Sequence, residues 1–286
     1  MIELLVTLAL LTLIKSTPII YAALGGVMSE RSGVINIGLE GMMAAGAFTA
    51  VVVSFATHNP IAGALAGVAA GACFGYLLAF AATRFKVDQI VAGTGINLIC
   101  AGGAAYGLVV LFNQPGASPQ VASLGSGYWV LIVGAFAIAI ALQWILYRTP
   151  WGLRIRATGE NPSAVVSAGL NPLALRMNAV VISGALAGLG GAFLSIGELN
   201  LYSDGMTAGR GFIALAAVIF GRWNPLGATA ACVVFGFFEA LQYVLQGQVA
   251  WLPANALQAL PYIAALVALA GVTGRVRAPA ADGVPF

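Results

Sequence analysis

Two apolar stretches joined by an Asn-Pro pair, GMMAAGAFTAVVVSFATHNPIAGALAGVAAGACFGYLLAFAAT (Gly41–Thr83), determine the fold class. The segment contains no Asp, Glu, Lys or Arg. A membrane-spanning helix needs about 20 mostly apolar residues, and Asn59-Pro60 provides a helix start between the two stretches. The segment therefore predicts two membrane-spanning helices connected by a short turn.

The composition extends this prediction to the whole chain. Hydrophobic residues make up 60% of the 286 residues and charged residues only 7%, whereas about a quarter of the residues in a soluble domain are charged. Further charge-free tracts are Gln89–Tyr147, Met177–Gly197 and Ala240–Gly274. These tracts lack the alternation of β-barrel strands, so the sequence predicts an all-α integral membrane protein.

Turn signals and charges divide the chain into about nine transmembrane helices. The predicted spans are 3–24, 34–56, 61–83, 90–112, 127–147, 173–197, 209–221, 226–246 and 256–273. The seventh is short for a full crossing, as in a broken helix. Ten of the twelve Lys and Arg residues fall on one side, and cytoplasmic loops carry an excess of such residues. The ten are Arg31, Arg84, Lys86, Arg148, Arg154, Arg156, Arg176, Arg222, Arg275 and Arg277. We therefore expect the N-terminus outside and the C-terminus in the cytoplasm.

A ridge of small residues in the third predicted span favours close helix packing. Glycine recurs at every fourth position, at Gly63, Gly67, Gly71 and Gly75. Such a ridge lets a second helix approach closely in lipid, and Gly184 with Gly188 repeats the pattern more weakly. No internal repeat or linker divides the chain, so we expect one transmembrane domain over 1–277 and a flexible cytoplasmic tail over 278–286.

Motifs for catalysis are missing from the sequence. There is no G-x-x-x-x-G-K-[ST] phosphate-binding loop. The single histidine, His58, excludes a His-based metal cluster and makes a Ser–His pair implausible. We therefore expect no metal, no cofactor and no enzyme site in this chain. The basic residues are scattered among turns, which argues against nucleic-acid binding, and movement of a solute across the membrane is the leading function class.

The longest polar interruption is RTPWGLRIRATGENPSAVVSAGLNPLALRMN (Arg148–Asn178). Asn161 and Pro162 predict the start of a short helix, and Gly169 predicts its left-handed end. A helix of under two turns is unstable alone in water, which indicates that it is held against its own chain or against a partner. A connector lying on the membrane surface, with its arginines on lipid headgroups, is the alternative.

Three segments resemble the ribose and branched-chain amino-acid type of ABC importer permeases. The segments are RATGENPSAVVSAGLNP (Arg156–Pro172), SERSGVINIGLEGMMAAGAF (Ser29–Phe48) and TAGRGFIALAAVIFGRWNPLGA (Thr207–Ala228). The last two resemble the nucleoside-type branch, since the sugar branch tends to have Gly-Ile-Asp-Leu where this chain has Val34–Ile37. The resemblance covers nearly the whole chain and implies a helix bundle like that of ribose and vitamin B12 permeases.

The resemblance also implies a role for the short helix in the loop 148–176. In that family it is a coupling helix, which docks into a groove on a separate ATPase and transmits nucleotide-driven motion. The residues expected to form this contact are Gly159, Glu160, Asn161, Pro162, Ser163, Ala164, Val165, Ala168 and Gly169. The chain itself would then have no ATPase site.

Partners and substrate follow from the same resemblance. It implies an ATPase subunit with two fused nucleotide-binding domains, a second permease subunit in a heterodimer, and an extracytoplasmic lipoprotein or periplasmic binding protein that delivers a nucleoside. The expected location is the bacterial cell (inner) membrane. The alternatives are a simple-sugar or autoinducer permease of the same family, and a secondary transporter or channel that needs no ATPase.

Polar side chains inside predicted spans are candidates for a translocation path, because lipid burial is costly unless they are paired or hydrated. The candidates are Asn36, Glu40, Asn97 and Glu239. Asn36 and Glu40 are four residues apart, which predicts one shared helix face. There they either contact substrate or bond backbone groups of a broken helix. Lys15, in the first span, is expected to pair with Glu239 or Glu40.

The loop GELNLYSDGMTAGRG (Gly197–Gly211) is the candidate outer site. It contains Glu198, Asp204 and Arg210, which are predicted to receive the binding protein or to form an outer gate. A solvated turn is the alternative for each of these residues.

Overall fold

A computed structural model describes residues 2–246, 263 and 277–285. Within these residues the regular structure is helical, apart from one isolated bridge between Ala117 and Ser203. The helices are α1 (Ile2–Arg31), α2 (Leu39–Thr57), α3 (Pro60–Arg84), α4 (Gln89–Phe112), α5 (Tyr128–Arg148), α6 (Pro150–Glu160), α7 (Pro162–Ser167), α8 (Pro172–Ala192), α9 (Arg210–Phe220) and α10 (Pro225–Gln246). A 3₁₀ turn (Gly125–Gly127) precedes α5, and a π-helical segment (Phe193–Leu199) extends α8.

Seven helices in the described part are long and apolar enough to cross a membrane. They are α1 to α5, α8 with its π-helical segment, and α10. The seventh predicted span coincides with α9, whose 11 residues rise only about 16 Å, roughly half of the bilayer's apolar thickness. The last predicted span, 256–273, lies outside the described residues except for position 263.

The boundary between the first two spans differs from the prediction. The first helix continues to Arg31, so Ser29 and Glu30 belong to its last turn and not to a loop. The second helix begins at Leu39, five residues later than predicted. Residues 32–38 between them are not helical, because Gly33 adopts a positive φ of 89° that turns the chain.

The Asn-Pro pairs at Asn59 and Asn161 start helices, as predicted, and so do two further pairs at Asn171 and Asn224. The Asn59 side chain accepts hydrogen bonds from the N–H groups of Ile61 and Ala62. Asn161, Asn171 and Asn224 cap α7, α8 and α10 in the same way. In each case Pro occupies the next position, where its missing N–H costs nothing.

The glycine ridge of α3 packs against α2 and α8, which confirms the predicted close approach. A Cβ atom at Gly63 would lie 2.5 Å from the Ala50 carbonyl oxygen of α2. A Cβ atom at Gly71 would collide with the Gly184 carbonyl oxygen of α8, and one at Gly184 would collide with Gly71. The strong and the weak glycine patterns therefore face each other, and only residues without a side chain allow this contact.

One end of the bundle, here called the basic end, brings together three basic residues of the predicted cytoplasmic turns, Arg31, Arg156 and Arg222. Arg31 at the end of α1 donates to the Trp223 and Arg222 carbonyls and to the Tyr147 hydroxyl. The segment that we expect to be a flexible tail packs against this end, where the Ala281 N–H donates to the Gly159 carbonyl (2.8 Å).

Candidate functional site

The non-helical segment 32–38 carries buried polar groups into the middle of the bundle. Asn36 is fully buried, and its side-chain amide donates to the Ser183 hydroxyl of α8 (2.9 Å). The Asn36 Oδ1 atom is buried without a hydrogen-bond partner in the described part of the protein. Because Asn36 precedes α2, it does not share a helix face with Glu40, and the predicted common face is wrong.

Residues 32–38, called the α1–α2 break below, have backbone groups without helical hydrogen-bond partners. Side chains of α4 bond some of these groups. Asn97 donates to the Ile37 carbonyl (3.0 Å) and accepts from the Gly41 N–H (2.7 Å). Gln89 accepts from the Ile35 N–H (2.7 Å). Backbone groups that are removed from water need other hydrogen-bond partners, so these contacts hold the break in one conformation.

Glu40 caps the N-terminus of α9 with both carboxylate oxygens. Its Oε1 accepts from the Gly209 N–H (2.8 Å) and its Oε2 accepts from the Gly211 N–H (2.6 Å). A carboxylate at this end also complements the helix dipole. The close approach requires glycine, because a Cβ atom at Gly211 would lie 2.5 Å from the Glu40 Cα atom.

Two ion pairs connect the half-length helix and the π-helical segment to neighbouring helices. Lys15 of α1 pairs with Glu198, and Arg210 pairs with Glu239 of α10. Both predicted partners of Lys15, Glu239 and Glu40, are therefore wrong. The Lys15 ammonium also lies 4.3 Å from the centre of the Tyr243 ring, a cation–π contact.

The three residues of the predicted outer loop lie in different surroundings. Glu198 and Arg210 are mostly buried, whereas Asp204 is exposed. The Asp204 N–H donates to the Gly116 carbonyl (2.8 Å), and the Ser118 N–H donates to the Tyr202 carbonyl (2.8 Å). The loop is thus fastened along the 116–124 connection, with Asp204 at its accessible surface.

The second candidate region is the loop that contains α6 and α7. Asn161 ends α6 through its N–H, which donates to the Ala157 carbonyl. It also starts α7, because its side-chain oxygen accepts from the Ala164 N–H (3.1 Å). Gly169 has the predicted left-handed conformation, with φ 75°. The predicted short helix, with both of its caps, is confirmed.

Most of the short helix is exposed, and Val165 is the one buried residue within its bounds. Val165 is buried against the loop, whereas the neighbouring apolar residue Val166 is 51% exposed. Gly159 is buried, and a Cβ atom there would collide with the Arg31 carbonyl oxygen. A groove runs between α6 and α7, lined by Leu153, Arg154, Ala157, Glu160, Asn161 and Ala164 among others.

A known protein family matches most of the chain. The family described as "Branched-chain amino acid transport system / permease component" matches residues 8–271. The chain belongs to this permease family. It is an integral, multi-pass membrane protein, and the family confirms the resemblance found in the sequence.

The permease is similar to other permease proteins over most of its length. It is 37% identical to the nucleoside ABC transporter permease protein NupC of Lactococcus lactis subsp. cremoris, with 96% of this chain and 94% of the relative covered. It is also 37% identical to the guanosine permease protein NupQ of Bacillus subtilis, with the same coverage. The putative glucose permease protein TsgC13 of Haloferax volcanii is 33% identical over 81% of this chain and 75% of its own. No solved structure was found to match the permease.

The structure brings together some of the predicted site residues of the permease and separates others. Asn97 bonds the start of α2, where Glu40 lies, and the Glu40 carboxylate in turn bonds the start of α9, whereas Glu239 lies on α10 in the ion pair with Arg210. Three residues of these regions were not identified from the sequence, namely Gln89 and Ser183, which bond the α1–α2 break, and the exposed Val166 of α7. Gln89 begins a charge-free tract, which could have marked it as a polar side chain next to a membrane helix.

Proposed function

We propose that the chain is the permease subunit of an ABC importer for nucleosides. The observation that carries this proposal is the 37% identity to a nucleoside and to a guanosine permease protein over 96% of the chain. The basic end then faces the cytoplasm of a bacterial cell, in accordance with the positive-inside rule. The permease forms the path, and a separate ATPase subunit supplies the energy.

In this proposal α7 is the coupling helix. Its outward residues, including Ala164 and Val166, are exposed, and its two ends are fixed by Asn161 and Gly169. A short helix with fixed ends can transmit a force from the ATPase without unwinding. The buried Gly159 lies against the end of α1, which gives the motion a direct route to a membrane-spanning helix.

The polar groups around the α1–α2 break are proposed to shape the translocation path and not to bind the substrate. Asn97 and both oxygens of Glu40 are already engaged by backbone groups. A nucleoside has hydroxyl groups and base edges but no net charge, and tight binding inside the path would slow its release. The ion pair of Glu239 with Arg210 holds the half-length helix, which borders the path in this proposal, and the ion pair of Glu198 with Lys15 holds the π-helical segment.

The remaining subunits are proposed from the family resemblance. They are a double-length ATPase, a second and related permease that forms a heterodimer with this chain, and an extracytoplasmic binding protein. The exposed Asp204 and the loop around it are proposed as the surface that receives the binding protein.

The test is reconstitution of the permease in proteoliposomes with these subunits from the same gene neighbourhood. Radiolabelled guanosine uptake should require ATP hydrolysis, and unlabelled nucleosides should compete while glucose should not. Competition by glucose alone would favour the sugar alternative. Glucose is the sugar to test because the chain is 33% identical to a putative glucose permease. Uptake that continues without ATP hydrolysis would favour a secondary transporter or channel.

A further inference from the structure

The C-terminal segment 277–285 lies in a cleft of the basic end. The Ala281 N–H donates to the Gly159 carbonyl (2.8 Å), and the Ala280 N–H donates to the Glu160 carboxylate (3.3 Å). Ala281 is 8% exposed, while the neighbouring Ala280 is exposed. The segment therefore bonds the two residues that immediately precede the cap of α7.

Arg176 of α8 fastens the same segment from the other side. This side chain is only 2% exposed, and it ranks among the largest fully buried side chains of the described protein. Its guanidinium donates to the Val284 carbonyl (2.9 Å), the Ala281 carbonyl (3.3 Å) and the Ser32 carbonyl (3.2 Å). Two of these three acceptors belong to the C-terminal segment, so a buried cation depends on that segment for its hydrogen bonds.

Carboxyl groups complete this cleft. Burial raises the pKa of Asp282 to about 7, although the Arg176 charge and the Gly283 N–H lower it. Glu30 of α1 faces Asp282, and the Trp223 indole N–H donates to Glu30. The seated segment therefore retains a proton on Asp282 to a higher pH than a free segment would.

We propose that residues 277–285 form a strap that fixes the coupling loop against α1 and α8, with Arg176 as the positioning residue that seats it. This role rests on the proposed function, because it assigns the strap to the transmission of motion from the ATPase. The strap bonds Gly159 and Glu160, the last residues of α6 before α7. The buried Arg176 guanidinium connects the strap to Ser32, next to the end of α1. Without the strap, the coupling loop keeps only its direct contact with the end of α1 through Gly159, so less of the motion of α7 reaches α1 and α8.

The first experiment measures whether the strap is seated, and it does not depend on any transport activity. Single cysteines replace Ala281 or Ala280 in full-length protein whose three native cysteines have been changed to Ala, and a maleimide labels them in detergent. The buried position 281 should react at least about tenfold more slowly than the exposed position 280. Equal rates would overturn the proposal.

The seat can then be loosened at Arg176. Arg176→Lys retains the charge but replaces the planar donor fork with a point donor, so it should bring the labelling rate at 281 close to the rate at 280. If the protected rate at 281 persists in Arg176→Lys, Arg176 is not the positioning residue.

The protonation of Asp282 adds a pH-dependent readout. The pKa of Asp282 is raised in the seated strap, so seating is most favourable at low pH and weakens as the pH rises towards 7. The ratio of the rates at 281 and 280 should therefore rise from pH 5 to pH 7.5, and Asp282→Asn should flatten this rise. An equal rise in Asp282→Asn would show that another group is responsible.

The second experiment measures coupling in the reconstituted importer. Removal of residues 278–286 and Arg176→Lys should each lower guanosine uptake per ATP hydrolysed several-fold, at unchanged protein amount. Arg176→Lys keeps the test informative if the truncated chain fails to fold. Unchanged coupling in a variant with an unseated strap would overturn the role in transmission. Failure of the unmodified importer to use ATP would instead refute the proposed function and leave the labelling result intact.

Discussion

The α1–α2 break and the coupling loop are both irregular segments rich in polar residues, but they use those residues in opposite ways. At the break, Asn97 of α4 bonds the backbone of Ile37 and Gly41, and Glu40 at the start of α2 bonds the backbone of α9. In the loop, the polar cap of Asn161 serves its own helix, and the remaining surface faces outward. The break is therefore a structural joint inside the bundle, whereas the loop offers a surface for another molecule.

The largest effect on stability is expected in the interior. Gly71→Ala should prevent accumulation of folded protein, because its Cβ atom would collide with the Gly184 carbonyl, a backbone group that cannot rotate away, so α3 and α8 would have to separate. Gly102→Ala on α4 is the matched control, since nothing lies within 4 Å of its Cβ position. Size-exclusion profiles of detergent-extracted protein measure both variants. Equal monodisperse yields would contradict the packing of α3 on α8.

The next largest effect is expected at the joint itself. Glu40→Ala should lower thermal stability in detergent, because two N–H groups at the start of α9 lose their acceptors, at about 1–3 kcal/mol each if they remain unpaired. Glu3→Ala removes an exposed carboxylate and should leave the melting temperature unchanged. A similar melting temperature for the two variants would mean that Glu40 is free for substrate contact.

Loss of a single helix cap should have a smaller effect on stability, and its effect on transport should be confined to the coupling loop. Asn161→Ala and Asn59→Ala each remove one helix cap, which costs about 1 kcal/mol. Only Asn161→Ala should reduce ATP-driven uptake, since α7 alone is proposed to contact the ATPase. Parallel loss of uptake in both variants, measured at equal protein amount, would show that the loop has no special role.

Local features of this fold could be predicted from the sequence, and contacts between distant segments could not. The Asn-Pro caps and the glycine ridge depend on neighbours within one helix turn or on regular spacing, which the sequence displays directly. The partner of Lys15 depends on where Glu198 lies after α8 has passed through a π-helical segment. Similarly, Val165 and Val166 are alike in sequence, and only the packing of α7 distinguishes the buried one from the exposed one.

The break shows the same limitation. Asn36 and Glu40 have helical spacing, but Gly33 turns the chain and α2 begins only at Leu39. The hydrogen bonds that stabilise this irregular segment come from Asn97 and Gln89, more than fifty residues away in the sequence. A pattern confined to one segment does not reveal these long-range partners.

The most direct test of the account is a substitution on the outward face of α7. Ala164 is exposed, so Ala164→Glu should leave the melting temperature unchanged while placing a charge at the proposed ATPase contact. Guanosine uptake and ATP hydrolysis are measured in the same proteoliposomes, with Ala164→Ser as the control. Uptake should fall on the order of tenfold in Ala164→Glu, the loss of about 1.4 kcal/mol of coupling, and should stay normal in Ala164→Ser. Normal uptake in Ala164→Glu would contradict the assignment of α7 as the coupling helix.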